Sequence, residues 1–230
     1  MKDFFKLDGK FSDFMTTLAN VFILNLCFLV GCIPVITIGV SVTAAFNVAL
    51  KIYESRDAHV IKAFWKAYAE NIKHGIALTF IFGILILGSI IDFVMAFPAE
   101  EGGRILDFGL FELKIAEHDD SFAIYFFIIG IVVALVTLLH MIYVFPLEAR
   151  YENSLWNTFT NARKIGIKYY GRTILIAVLL VIELFLFYAI NDILFIIGLC
   201  IGPMIMIMTD AGIVLPAFKD VESDEASGES

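Results

Sequence analysis

Four runs of about twenty residues, 75–97, 122–145, 172–190 and 193–215, hold almost nothing that water would solvate. Such a run crosses a bilayer as a helix, because hydrocarbon offers backbone N–H and C=O groups no partner and a helix pairs them within one segment. The chain is 60% hydrophobic and only 17% charged. A soluble domain is roughly 45–50% apolar and about 25% charged, which excludes one here. The reading is an all-α, polytopic transmembrane helix bundle of five to six helices with two interfacial amphipathic helices. Residues 1–218 form its single domain, and residues 219–230 an acidic, disordered cytoplasmic tail.

A fifth run, 17–36, ends in Ile33-Pro34-Val35-Ile36-Thr37-Ile38-Gly39. Proline donates nothing to a helix ladder and glycine relaxes it, so Pro34, Thr37 and Gly39 mark a helix break. The apolar stretch 40–53 behind it is about 21 Å long as a helix, short for a full crossing. If it stays out of the membrane, five spans leave the N-terminus outside, with eleven of the sixteen Lys and Arg residues inside. If it returns as a hairpin, the N-terminus moves inside and the tally becomes fourteen against two, which the positive-inside rule favours. In either case the acidic segment 100–120 is an outer loop, and the basic linkers and C-terminus face the cytoplasm.

Two amphipathic stretches lie between the spans. Residues 58–73 place Ile61, Phe64, Trp65, Tyr68 and Ile72 on one helical face, with Asp57 as N-cap. Residues 154–165 repeat the pattern with Leu155, Trp156, Phe159 and Ala162, followed by Arg163 and Lys164. Aromatic residues with Lys or Arg mark helices lying in the interface. At an offset of 91, Trp65 meets Trp156, Lys73 meets Lys164 and Gly75 meets Gly166, a pattern that chance or an internal duplication produces.

Polar groups inside the spans are the functional candidates, since an ionisable side chain in lipid is costly. Glu183 lies near a midplane; His140 and Asp210 lie toward cytoplasmic helix ends, where they could meet; Asp92 lies near an outer end. Each also has a plain structural reading, a hydrogen bond between helices for Glu183 and an interfacial position for the others. Asn25, Thr79 and Thr137 are the neutral partners available to Glu183. Gly198 and Gly202 form a small-x-x-x-small pair suited to close helix packing. Cys27, Cys32 and Cys200 sit in apolar runs without ligand spacing. Glu117-His118-Asp119-Asp120 resembles a metal site only loosely, so neither metal nor cofactor is expected. The formal charge of −8 offers nucleic acid no basic surface. No phosphate-binding loop, zinc motif or nucleophile elbow is present, so the chain does not read as an enzyme.

Three stretches carry a family likeness. They are Phe4-Phe5-Lys6-Leu7-Asp8; Asn25-Leu26 through Pro34-Val35-Ile36-Thr37-Ile38-Gly39 to Thr43-Ala44, with residues 64–71; and Tyr143 through Phe145-Pro146-Leu147-Glu148-Ala149-Arg150-Tyr151-Glu152-Asn153-Ser154, with Asn161-Ala162. They resemble the YesL family of bacterial integral membrane proteins, whose domain is of unknown function. The resemblance implies the cytoplasmic membrane of a bacterium. It also implies a non-enzymatic accessory or assembly role beside a carbohydrate uptake system, with subunits of a carbohydrate ABC importer as partners. A small-solute transporter or channel is the alternative, motivated by Glu183 and the broken helix. Beyond the lipid bilayer, association with further copies of the chain stays open.

Overall fold

A computed structural model describes residues 10–55, 59–97, 104–107, 112–115, 122–189 and 192–227. The protein is an all-α membrane bundle carrying one small hairpin. Its helices are α1 (Lys10–Gly31), α2 (Ile38–Ser55), α3 (Val60–Glu70), α4 (Ile72–Ala96), α5 (Ala123–Arg150), α6 (Leu155–Lys168), α7 (Tyr170–Ala189) and α8 (Asp192–Ser227). By length and apolarity, four described helices can cross a membrane, within α2, α4, α5 and α8, or five if the α6–α7 pair, bent by 99°, is one span. Between α4 and α5 lie antiparallel strands β1 (Arg104–Asp107) and β2 (Glu112–Ile115), with Arg104 opposite Ile115, where the sequence suggested only a loop. Residues 117–120 lie outside the described residues.

The chain forms two compact units, residues 1–80 with 139–230, and residues 81–138. In the second, α4 and α5 approach closely at Gly130, where a Cβ would lie 3.1 Å from that of Asp92. Phe93 and Phe127 meet edge to face there at 5.9 Å.

The first unit is built around α2. Val40, Ala44, Ala45, Val48 and Ala49 are fully buried, beside Phe64 of α3 and Met204, Ala211, Val214 and Phe218 of α8. Burying a residue such as Phe64 contributes about 2–3 kcal/mol. The break before α2 is chemically closed. A 3-10 turn, Val35–Thr37, follows Pro34, and the Thr37 hydroxyl faces the carbonyls of Gly31 at 2.9 Å and Pro34 at 2.7 Å. Gly39 then donates its N–H to the Thr79 hydroxyl at 2.8 Å. A side chain at Gly39 would strike the Gly75 carbonyl, and one at Gly75 would come within 2.5 Å of the Val40 Cα. Two glycines therefore let α2 cross α4 with backbones nearly touching.

That crossing fixes the course of α2. Thr79 is only about 10 Å along α4 from its start. Further along α2, Asn47 donates to the Ala149 carbonyl at 2.6 Å, beside Glu148, which is held by His74 of α4. Both parts of α2 therefore sit near the same end of α4, and α2 runs across that end.

Three points of the sequence reading gain detail. The buried face of α3 is Val60, Phe64 and Ala67, while Ile61 is 57% and Trp65 40% exposed. Burial follows the i, i+4, i+7 row that meets α1 and α2, so the aromatic face splits between protein and surroundings. Likewise α6 buries Thr158, Ala162 and Ile165 and leaves Trp156 81% exposed. Asp57 lies outside the described residues; the N-cap of α3 is His59, without a side-chain cap bond. Finally, the acidic segment continues α8 as helix through Ser227, where Asp220, Glu222 and Asp224 each meet a cation. The residues matched at an offset of 91 take different places: Gly75 packs on α2 from within α4, whereas Gly166 lies in α6 against Tyr143.

Candidate functional site: a polar knot at the helix ends

The end of α5 is buried on every side from Ile142 to Ala149, and it carries Pro146 inside the helix and Glu148 two residues later. A carboxyl group there needs partners, since an unpaired buried charge costs several kcal/mol. Glu148, 5% exposed, has two. One oxygen meets Nδ1 of His74 at 2.5 Å, and the other accepts the Thr158 hydroxyl at 2.9 Å. One side chain thereby ties the starts of α4 and α6 to the end of α5. Ser154 caps α6, accepting the Asn157 N–H at 3.4 Å.

Two residues on, Arg150 spreads its guanidinium between two helices. Nε and Nη2 donate to Glu222 of α8 at 2.8 and 3.2 Å, and Nη1 to Glu54 of α2 at 2.8 Å. The Tyr151 hydroxyl donates to the same Glu222 at 2.6 Å. Burial and the adjacent Glu222 carboxylate both push the Tyr151 phenol above its ordinary range. Lys51 holds Asn47 at 2.7 Å, fixing which way its amide faces.

A second set of pairs brackets the α6–α7 bend. Lys168 meets Asp224 at 2.8 Å and Arg172 meets Asp220 at 3.7 Å, with both cations near the Tyr169 ring. The bend frees carbonyls from the helical ladder, and the Thr173 hydroxyl lies 3.0 Å from that of Gly166 and 3.2 Å from that of Tyr169. Tyr143 lies 2.9 Å from the same hydroxyl.

Among the clefts that open beside this knot, two share a wall. One, of about 730 Å³, is lined by Asn47, Lys66, Asn71, His74, Glu148 and Asn153 among others. The other, of about 510 Å³, lies between α6 and the end of α8. Tyr151, Glu152 and Asn153 line both, so this short turn is the wall between them.

The intramembrane residues singled out by sequence distribute differently. Asp210 is 6% exposed, and its Oδ1 has no hydrogen-bond partner among the described residues. Its electrostatic neighbour is Glu183. The Arg172–Asp220 pair sets the register: Glu183 is eleven residues beyond Arg172 and Asp210 ten before Asp220, about 16 and 15 Å from the charged end. His140 instead faces the Phe159 ring at 5.9 Å. Asp92 packs opposite Gly130 in the second unit. The neutral groups proposed for Glu183 are otherwise disposed: Thr79 serves Gly39 and Gly75, while the buried Asn25 amide and Thr137 hydroxyl have no hydrogen-bond partner among the described residues. Gly202 is buried on α8, one turn beyond Gly198.

Sequence reasoning missed His74, Glu148, Glu54 and Glu222 as a connected set. Their signal was a charged residue at the end of each apolar run, which reads equally well as an interfacial position. A family model described as "Protein of unknown function, DUF624" matches residues 21–93, the stretch containing the α1–α2 break and the Gly39–Gly75 contact. The segment from Tyr143 to Ser154 lies outside that match, and no curated protein and no solved structure matches the chain.

Proposed function

We propose that the chain is a YesL-like accessory or assembly protein of a bacterial carbohydrate uptake system, seated in the cytoplasmic membrane and acting without catalysis. The observation that carries this reading is the use of the reactive-looking groups. Glu148, His74 and Arg150 spend hydrogen-bonding capacity on other helices, which makes a rigid polar end rather than a poised nucleophile or base. The cleft of about 730 Å³ beside it offers an importer subunit a polar docking surface. The basic linkers and the polar end face the cytoplasm in this reading, and the α1–α2 pair re-enters the membrane from that side. Affinity purification in mild detergent tests it. Importer subunits are expected to co-purify, and Asn153→Trp, which fills the turn between the clefts, should release them. Recovery of the chain alone, able to move sugar into liposomes, would overturn the reading.

A second reading, a small-solute transporter or channel, is favoured by one feature: Asp210 is buried at about the depth of Glu183, with a carboxyl oxygen that has no hydrogen-bond partner among the described residues. Solute uptake by liposomes containing the purified chain, abolished by Asp210→Asn in protein that still inserts, would establish it.

A further inference from the structure

The cleft of about 510 Å³ is amphiphilic in a particular way. Its floor is apolar, made by Leu147, Ile165 and Val221, and its rim carries Lys164, Lys168, Asn153 and Asn161. Two acids also line it. Glu222 is already engaged by Arg150 and Tyr151, which leaves Glu152 as the rim carboxylate without an ion-pair partner among the described residues. Lys164 likewise has no ion-pair partner among them, and the Lys168–Asp224 pair is about half exposed on both sides. Exposed pairs of this kind contribute little, so exchanging Asp224 for another anion is inexpensive.

The surroundings say where this cleft lies. On α6 and the start of α7, Trp156, Ile167 and Tyr170 are 81%, 70% and 71% exposed. Exposed Trp and Tyr beside lysines place a helix at headgroup level. From there the chain bends by 99° into the apolar α7. A soluble anion has no use for an apolar floor, whereas a phospholipid has both a phosphate and a glycerol-acyl portion to place. We propose that this cleft binds the phosphodiester headgroup of an anionic phospholipid from the leaflet in which α6 lies. Lys164 and Lys168 donate to the phosphate, the Asn161 amide supports it, and the glycerol end rests on Leu147 and Ile165. The chain as a whole carries a charge of −8, so attraction to an anionic surface depends on such local bases.

The test uses the full chain in nanodiscs of phosphatidylcholine with and without phosphatidylglycerol, scored by retained lipid in native mass spectrometry and by thermal unfolding. Phosphatidylglycerol should be retained roughly tenfold or more over phosphatidylcholine and should raise the unfolding temperature. Lys164→Gln with Lys168→Gln should abolish both effects, and the corresponding Arg pair should keep them. Lys164→Gln alone, which breaks no ion pair of the described structure, should lower the retention several-fold and covers the case in which the double variant folds poorly. Inorganic phosphate added to phosphatidylcholine discs should have no effect. Unchanged phosphatidylglycerol retention in Lys164→Gln, or stabilisation reproduced by inorganic phosphate, would overturn the proposal.

Discussion

At the scale of single residues, the polar knot depends on groups that cannot lose a partner without leaving another stranded. His74→Ala leaves the Glu148 carboxyl with Thr158 alone inside a buried helix end. Because His74 itself is partly exposed, the expected cost is about 1–3 kcal/mol, read as a lower unfolding temperature in detergent. Thr79→Val is a narrower change. It removes the acceptor of the Gly39 N–H while conserving volume, and should cost about 1–3 kcal/mol. Thr79→Ser should retain most of the stability, and a Val variant as stable as the parent would show that the bond contributes nothing. Gly39→Ala is expected to be worse than either, because the obstructing Gly75 oxygen is backbone and cannot rotate away. Glu183→Gln should leave insertion and expression unchanged, since the amide has nearly the same shape and needs no charge compensation in lipid. Poor insertion of that variant would mean that the carboxyl itself is structurally required.

Among the elements, α8 departs furthest from the sequence expectation. Its last turns look like a solvated acidic tail, yet three of their carboxylates reach Arg172, Arg150 and Lys168. Truncation after Lys219 removes all three. Each partly exposed pair contributes at most about 1 kcal/mol, so the total loss should not exceed about 3 kcal/mol. The sharper readout is local: amide exchange in α6 and the first turn of α7 should accelerate, while exchange in α3 stays unchanged. Equal exchange in both proteins would mean that Thr173 and Tyr143 hold the bend unaided. The amphipathic helices show why element type was easier to read than element facing. Periodicity marks a helix, but which stripe goes inward depends on the neighbour. Phe64 turns to the α1–α2 pair, and Trp65, one residue on, does not.

For the molecule as a whole, the arrangement of α2 has a topological consequence. With its two contacts near one end of α4, the α1–α2 pair should enter and leave the bilayer on that side. Cysteine labelling at position 6 should then be blocked from outside in intact cells, while a reporter at position 153 reads as cytoplasmic. Ready labelling at position 6 would restore a five-span chain with an outer N-terminus. What the sequence alone determined is the class of molecule and the approximate place of its helices. Runs of about twenty apolar residues admit one solution in lipid, and Pro34 with Gly39 interrupts one of them for reasons local to the backbone. What only the tertiary structure decided is which polar groups meet. Glu148 answers to His74, and Arg150 to both Glu54 and Glu222. These pairings join residues as many as 96 apart, and they depend on crossing points set by small residues such as Gly39 and Gly75. Hydropathy is a property of each segment by itself, so it records that a charge sits at a helix end and carries no information about which other helix end lies beside it.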